Sequence, residues 1–316
     1  MELIRGLPNL RQRHQGSVVT IGTFDGIHPG HQALIRSLLG HADRLSRPAM
    51  MLTFEPMPRE YLAAANPPAR LTSWRERWRV LQRTGLSFVL QLRFGEPLRN
   101  WSGEQFVRLL CDDIKAPVVV IGHDFKFGRH GVANAALLSE AGLKLGFRVD
   151  VVPPVTIDGL RVSSSEIRGA LERGDLDKAA RWLGRPYSMI GRVVRGQQFG
   201  RSLGFPTANL RLDRKRSALY GIFAVRVHGI PGVAAAFGVA SLGTRPTVGG
   251  TVPLLEVYVF DFDGDLYGRE IEVEFVAKLR EEQKFASVDA MVEQMHRDAA
   301  EARQILTKTL NVPIRP

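Results

Sequence analysis

A strand, a turn and a helix start are written into residues 18–39, and that unit constrains the fold more than any other stretch. Val18-Val19-Thr20-Ile21 is an apolar run of the kind buried in a parallel sheet. Gly22-Thr23-Phe24-Asp25-Gly26-Ile27-His28-Pro29-Gly30-His31 follows. Ala33, Leu34, Ile35, Leu38 and Leu39 then recur at helical spacing. His28 and His31 therefore stand where a strand ends and a helix begins. Ligands of open α/β sheets collect at the carboxyl ends of strands, and a helix N-terminus attracts anions. Two imidazoles, glycine-exposed N–H groups and a helix dipole at one point favour a phosphate. Taken alone, two histidines also fit a pair of surface residues beside a turn, or a metal site.

The same alternation continues. Met50–Phe54 reads as a second buried strand, and Glu55-Pro56-Met57-Pro58-Arg59-Glu60 as a loop at its end in which two prolines forbid regular structure. Trp74, Trp78 and Leu81 predict a helix over 73–83, capped by Thr72 or Ser73. Phe88–Leu90 is a short strand, Phe106, Leu109 and Leu110 mark a helix opened near Ser102, and Val118–Ile121 is a strand. It ends in the polar, glycine-bounded loop Gly122-His123-Asp124-Phe125-Lys126-Phe127-Gly128. A helix over 137–145 and a strand over 147–152 complete a doubly wound parallel sheet. Val162-Ser163-Ser164-Ser165-Glu166-Ile167-Arg168 is a good helix start, and equally a ready phosphate site. After a helix over 176–183, Gly184-Arg185-Pro186 breaks the pattern and marks a domain boundary.

Beyond it short strands dominate, over 187–194, 218–227, 233–241, 254–260 and 271–279. Ile271, Val273 and Phe275 alternate with Glu272 and Glu274. Five or six antiparallel strands of this spacing form a compact barrel, and a helix from Val288 through Ile305 docks on it as a cap. Between the first two strands lies a glycine-rich loop, with Gly196 and then Gly200-Arg201-Ser202-Leu203-Gly204. Pro206-Thr207-Ala208-Asn209-Leu210 follows it. Glycines at 196, 200 and 204 let a backbone approach a ligand closely, although hairpin turns use glycine in the same way.

Bulk properties bound the rest. A chain of 316 residues suits two domains, at a prior of about 150 residues each. No apolar run nears the roughly 20 residues needed to cross a bilayer. The N-terminus lacks a signal-peptide pattern. With one cysteine, Cys111, an internal disulfide is impossible, so a reducing cytoplasm is expected. The net charge of +11 admits nucleic-acid binding, but the basic residues are scattered, with a short cluster only at Arg214-Lys215-Arg216. A solvated surface accounts for most of them.

The Gly22–His31 stretch resembles the HxGH motif of nucleotidylyltransferases, with His28, Gly30 and His31 matching directly. The resemblance implies that the histidines stabilise charge on the α-phosphate of ATP during in-line attack, without a covalent intermediate. It places Gly22, Thr23, Phe24, His28, Gly30 and His31 at the ATP. The serine-rich stretch resembles the same superfamily's second signature, which carries β- and γ-phosphate contacts to Ser164 and Arg168. The Pro-Thr-Ala-Asn segment resembles that of riboflavin kinases, which implies Mg²⁺–ATP held by Thr207 and Asn209. Glu256 then stands where that family has its catalytic base, although by pattern alone it is a strand-surface charge. Gly221–Ala224, Ser241–Thr247 and Leu266–Gly268 match further segments of it. Together the two signatures resemble the bifunctional riboflavin kinase/FMN adenylyltransferases, the bacterial FAD synthetases, over essentially the whole chain. The implied fold is an α/β doubly wound, Rossmann-like nucleotidylyltransferase domain over 1–184. A six-stranded antiparallel β-barrel riboflavin kinase domain over 187–316, with a terminal helix, follows. Riboflavin, FMN, FAD and ATP are the implied substrates and products. Phe54, Asp124 and Phe125 are the implied flavin contacts of the first domain, and the two rings fit the core equally well.

The chain departs from the family at a few positions. Met57 stands where histidine is usual, Thr23 for a frequent asparagine, Arg77 for a frequent lysine, and Val248 where an aromatic is commoner. Two other readings are a nucleotidylyltransferase for another phosphate, such as a pantetheine or glycerol phosphate, and a basic nucleic-acid-binding protein. The kinase-like segment opposes the first, and the scattered charge opposes the second.

Overall fold

The computed structural model describes residues 1–196, 200, 203–247 and 250–310. Arg201, Ser202 and Val248 lie outside the described residues. Contacts divide the chain into two units, Met1–Pro68 with Arg77–Ser163, and Ala69–Glu76 with Ser164–Pro316. Helices over 164–183, which precede the break at Gly184, thus group with the second unit.

The elements run, in order, β1 (Glu2–Arg5), β2 (Val18–Ile21), α1 (Pro29–Leu45), β3 (Ala49–Phe54), α2 (Pro58–Leu62), α3 (Trp74–Leu81), β4 (Phe88–Leu92) and α4 (Glu96–Arg99). Next come α5 (Gly103–Arg108), β5 (Val118–Gly122), a two-residue ladder of β6 (Lys126–Phe127) and β7 (Ala133–Asn134), α6 (Ala135–Leu145), and β8 (Arg148–Val152). A small hairpin of β9 (Thr156–Ile157) and β10 (Leu160–Arg161) ends the first unit. Its sheet has the order β1-β4-β3-β2-β5-β8, and every ladder is parallel. The chain winds outward from β2 through β3 to β4, then returns past β2 to β5 and β8. Strand order therefore reverses at β2, and the carboxyl end of β2 is the topological switch point where such folds bind ligands. All four residues of β2 are buried, with Val19 and Ile21 packed among Met50, Leu52, Val119 and Ile121.

Local chemistry sets the helix starts. Ser73 and Glu76 exchange side-chain and backbone bonds, and Ser102 and Gln105 do the same at α5. Each satisfies two otherwise orphaned N–H groups. Strand β1 escapes prediction, because four residues ending in Glu2 and Arg5 carry no period. Its pairing with β4 is a non-local event. Cys111 is half-buried, and burial followed by the neighbouring Asp112 carboxylate raises its thiol pKa, which keeps it protonated.

The second unit continues with α7 (Ser164–Glu172), α8 (Leu176–Leu183), β11 (Ser188–Val194), β12 (Thr207–Leu212), β13 (Gly221–His228), β14 (Ala236–Thr247), β15 (Gly250–Val259), β16 (Glu270–Arg280) and α9 (Val288–Leu310). The six strands close into a barrel of order β11-β12-β15-β14-β13-β16, all antiparallel. The sixth strand is the Thr207–Leu212 stretch itself, which the sequence pattern alone does not mark as a strand. Pro206 just ahead of it and Asn209 within it depress strand propensity, and pairing on both sides overrides that. Leu255 and Val257 are fully buried, whereas Glu256 and Tyr258 between them are half-buried on the opposite face. That second face is where α9 docks: its Ala302 and Leu306 pack on Ala224 and Phe260. Two forked ion pairs fasten it. Arg280 grips Asp298 at 3.0 and 2.7 Å, and Arg303 grips Asp261 at 2.7 and 2.9 Å.

A buried ion pair ties the segment 69–76 to the barrel strands. Arg214 Nη2 donates to both oxygens of Glu76 at 2.7 and 2.6 Å, with side chains 0% and 6% exposed. The Ile190 N–H donates to the same carboxylate at 2.7 Å, and Arg214 Nη1 donates to the Tyr187 hydroxyl at 3.0 Å. Removing one partner strands a buried charge. Arg214→Met is expected to cost about 3–5 kcal/mol, read as a fall in the urea midpoint of the barrel. A midpoint equal to the parent's refutes it.

Candidate active sites

The turn between β2 and α1 is held in an unusual backbone conformation. Phe24, Gly26 and Ile27 have φ of 51°, 87° and 46°. For a ring and a β-branched side chain this is a strained region, costing about 1–3 kcal/mol each. Both side chains are 1% exposed or less, so packing offsets the strain. The result aims the turn at the switch point and brings His28 to the N-cap of α1. There its Nδ1 accepts the His31 N–H at 3.4 Å. An imidazole that accepts at Nδ1 carries its hydrogen on Nε2. The His28 and His31 rings stack at 3.7 Å with 20° between planes, and Phe24 lies 5.1 Å from His31. A Cβ at Gly30 would come within 3.1 Å of the His28 ring and 3.9 Å of the Val162 carbonyl. Gly30 thus lets the approach to α7 pass close to the histidines.

His31 Nδ1 is shut off from solvent with no hydrogen-bond partner among the described residues. Burial, then the charges of His28 and Arg77, hold the His31 pKa well below the usual histidine range. The helix N-terminus beside these rings favours an anion. Among the described residues no group of three or more His, Cys, Asp or Glu is placed to hold a metal ion.

Ser164 is the first residue of α7, and Arg168 lies one turn further on. The Arg168 Nε donates to the Ala69 carbonyl at 2.6 Å. Both belong to the second unit, whereas His28 and His31 belong to the first.

Of the three implied flavin contacts, Phe54 and Phe125 are half-buried against one core cluster. Phe125 stacks on Phe127 at 5.6 Å. Asp124 pairs with Arg161. Burial pushes its pKa up, but the Arg161 hydrogen bond and charge outweigh this and hold it low. The sequence reading missed a cavity of ≈ 630 Å³ lined by Pro8, Pro56, Tyr61, Phe94, Leu98 and Trp101. Phe94 meets Phe54 edge-on at 6.1 Å. These residues come from four separate segments, so no local pattern announces the cavity.

In the barrel, register assembles the second site. Asn209 on β12 lies opposite Glu256 on β15, and Glu256 lies opposite Ser241 on β14. Thr207 lies opposite Tyr258 on the same face. A Cβ at Gly196 would fall 2.5 Å from the Asn209 carboxamide, and one at Gly200 would strike the Phe205 carbonyl and lie 3.4 Å from Thr207 Oγ1. Gly196 and Gly200 therefore bring their backbone directly against Asn209 and Thr207. Gly204 has φ 82°, which favours glycine. A cavity of ≈ 340 Å³ opens between this face and α9, lined by Thr207, Ser241, Glu256, Phe285, Met291 and Met295 among others.

Comparison with known proteins agrees with this division of labour. Residues 10–166 match the FAD synthetase family model, and residues 183–306 match the riboflavin kinase model. Fold and sites define a transferase with one nucleotidyl-transfer half and one kinase half. A bifunctional riboflavin kinase/FMN adenylyltransferase of Pseudomonas fluorescens is 45% identical over 307 residues, covering 96% of this chain and 98% of the relative. The Escherichia coli K12 protein of the same name is 41% identical, with 98% and 99% covered. The chain belongs to the bifunctional riboflavin kinase/FMN adenylyltransferase family. A Streptococcus pneumoniae crystal structure described as a macrolide-efflux protein shares the fold, at 31% identity and a TM-score of 0.81 over 96% of this chain and 99% of that one. Among the described residues here, no helix is long and apolar enough to cross a membrane.

The depressed His31 pKa has a sign. The unfolded chain takes up this proton more readily, so the site's contribution to stability is full above the ordinary histidine range and is lost as pH falls below it. In the free protein His31 is expected to titrate below the ordinary value of about 6.5, and to shift upward when pyrophosphate is added. Two-bond ¹H–¹⁵N spectra against pH read both, and a His31 at the ordinary value in both states refutes them.

Proposed function

We propose that the chain carries out two successive transfers, converting riboflavin to FMN in the barrel and FMN to FAD in the α/β half. The observation that carries this reading is that one chain holds both a stacked histidine pair at a β-α switch point and a register-built Asn–Glu–Ser row beside Gly196 and Gly200. The functional division we assign is 1–184 for adenylyl transfer and 187–316 for the kinase.

In the kinase half, riboflavin occupies the cavity between the barrel face and α9, with its ring against Phe285, Met291 and Met295. The Glu256 carboxylate accepts the proton of the ribityl 5′-hydroxyl as that oxygen attacks the γ-phosphorus of ATP. The bond from γ-phosphorus to the bridging oxygen breaks, and ADP leaves. Thr207 and Asn209 present neutral oxygens on one face beside the Glu256 carboxylate, a donor set that fits a Mg²⁺ sharing its shell with phosphates and water. When bound, Mg²⁺ supplies charge neutralisation on the transferring phosphate. Gly196, Gly200 and Gly204 bring backbone close enough to cradle the nucleotide.

In the α/β half, a phosphate oxygen of FMN attacks the α-phosphorus of ATP, and pyrophosphate leaves. His28 donates from Nε2 and His31 from its ring N–H to the oxygens on which charge grows, where pre-placed donors cost no reorganisation. Gly22, Thr23, Phe24 and Gly30 shape the turn around the nucleotide, and Ser164 and Arg168 contact its β- and γ-phosphates. Phe54, Phe125 and the aromatic cavity beside them receive the flavin ring, with Asp124 as a polar contact. A cytoplasmic location goes with a chain of this chemistry and a single protonated thiol.

A chromatographic time course with riboflavin, ATP and Mg²⁺ tests the whole: FMN is expected first, then FAD at its expense. FMN alone as the end product sinks the bifunctional reading, and Met57 is then the first residue to restore to histidine. His31→Ala is expected to abolish FAD formation while sparing FMN formation. Glu256→Gln is expected to abolish FMN formation while sparing FAD formation from supplied FMN. Loss of both reactions in either variant contradicts the assignment of separate sites.

A further inference from the structure

Arg77 on α3 is 1% exposed. Its guanidinium is spent on two different loops. Nη1 donates to the Thr23 carbonyl at 2.7 Å, and Nη2 donates to Glu55 Oε2 at 2.9 Å. Thr23 sits in the turn after β2, immediately before the left-handed Phe24 and five residues ahead of His28. Glu55 follows β3, directly between Phe54 and Pro56, and Pro56 lines the aromatic cavity. One rigid planar fork therefore spans the loop that carries the histidines and the loop that borders the aromatic cavity.

We propose that Arg77 is a positioning residue for adenylyl transfer, fixing the spacing between the turn that holds the ATP α-phosphate and the loop that holds the flavin. This rests on the functional reading above and deepens it. Two reactants brought together by different loops react only if those loops keep their separation, and a displacement of about 1 Å can cost on the order of a hundredfold in rate. A guanidinium suits the task because its donors lie in one plane at fixed separation. An ammonium is a single point of charge on a flexible stem and holds two acceptors without fixing their spacing. Glu55 is 28% exposed in its side chain, so solvent can take up its charge when Arg77 is replaced.

The test is steady-state kinetics of FAD formation from supplied FMN and ATP, with riboflavin phosphorylation measured on the same preparation. Arg77→Met is expected to lower kcat for FAD formation by about tenfold to a hundredfold, with smaller changes in KM and no change in FMN formation. Arg77→Lys keeps charge and bulk and is the variant to use where Arg77→Met does not fold. It is expected to lower kcat less, but measurably. Glu55→Gln is expected to lower kcat in the same reaction, and the Glu55→Gln/Arg77→Met pair to be no worse than Arg77→Met alone. Unaltered kcat in both Arg77 variants overturns the inference, as does an equal loss of both reactions, which marks a general structural role. No FAD from the parent enzyme overturns the functional reading, and this inference with it.

Discussion

A carboxylate and a guanidinium removed from water organise the second unit. Glu76 and Arg214 meet through two short hydrogen bonds, and Tyr187, Ser73 and the Ile190 backbone add further ones. Such a pair contributes little net stability over an apolar one, but it tolerates no substitute partner and no shifted geometry. It fixes residues 69–76, Tyr187 at the entry to β11 and Arg214 just beyond β12 to one another. Those are the strands that bring Thr207 and Asn209 to the face where Glu256 stands. A polar network buried this deeply specifies one arrangement of strands among the several that hydrophobic packing alone would accept.

The two sites are built on different physical principles. In the α/β half, the proposed chemistry sits on a turn. The backbone there is strained at Phe24 and Ile27, buried side chains compensate, and the helix dipole and a capping imidazole point the site at an anion. In the barrel, chemistry sits on strands. Asn209, Glu256 and Ser241 adjoin because two ladders, β12 with β15 and β14 with β15, share one register, and Gly196 and Gly200 only have to approach what the sheet has already assembled. The barrel site is as rigid as the sheet.

This difference explains what could be read without coordinates. The histidine pair was legible because its whole context is local: an apolar strand, glycines and a helical stripe within about one β-α unit. Most helix starts were legible for the same reason, since Ser73 and Ser102 cap through neighbours three residues away. The barrel's nature was legible from alternation at Ile271, Val273 and Phe275. Its sixth strand was not, because Thr207–Leu212 carries the composition of a loop and becomes strand only through partners far along the chain. The cavity around Tyr61, Phe94 and Trp101, the role of Ser241 beside Glu256, and the double duty of Arg77 were equally hidden. Each depends on segments that sequence order keeps apart. Glu256 looked like an ordinary strand-surface charge, and by local pattern it is one.

Register also restricts how the kinase half can change its length. Removing one residue ahead of Glu256 within β15 would rotate the carboxylate to the other face of the sheet, among the packed side chains of the barrel interior. Removing two would restore the face but carry the carboxylate about 7 Å along the strand, out of line with both Asn209 and Ser241. Neither error can be absorbed at an edge, because a closed barrel has none. Insertions and deletions compatible with this chemistry are therefore confined to the connections between strands, and the six strand lengths are held by the reaction as much as by the fold.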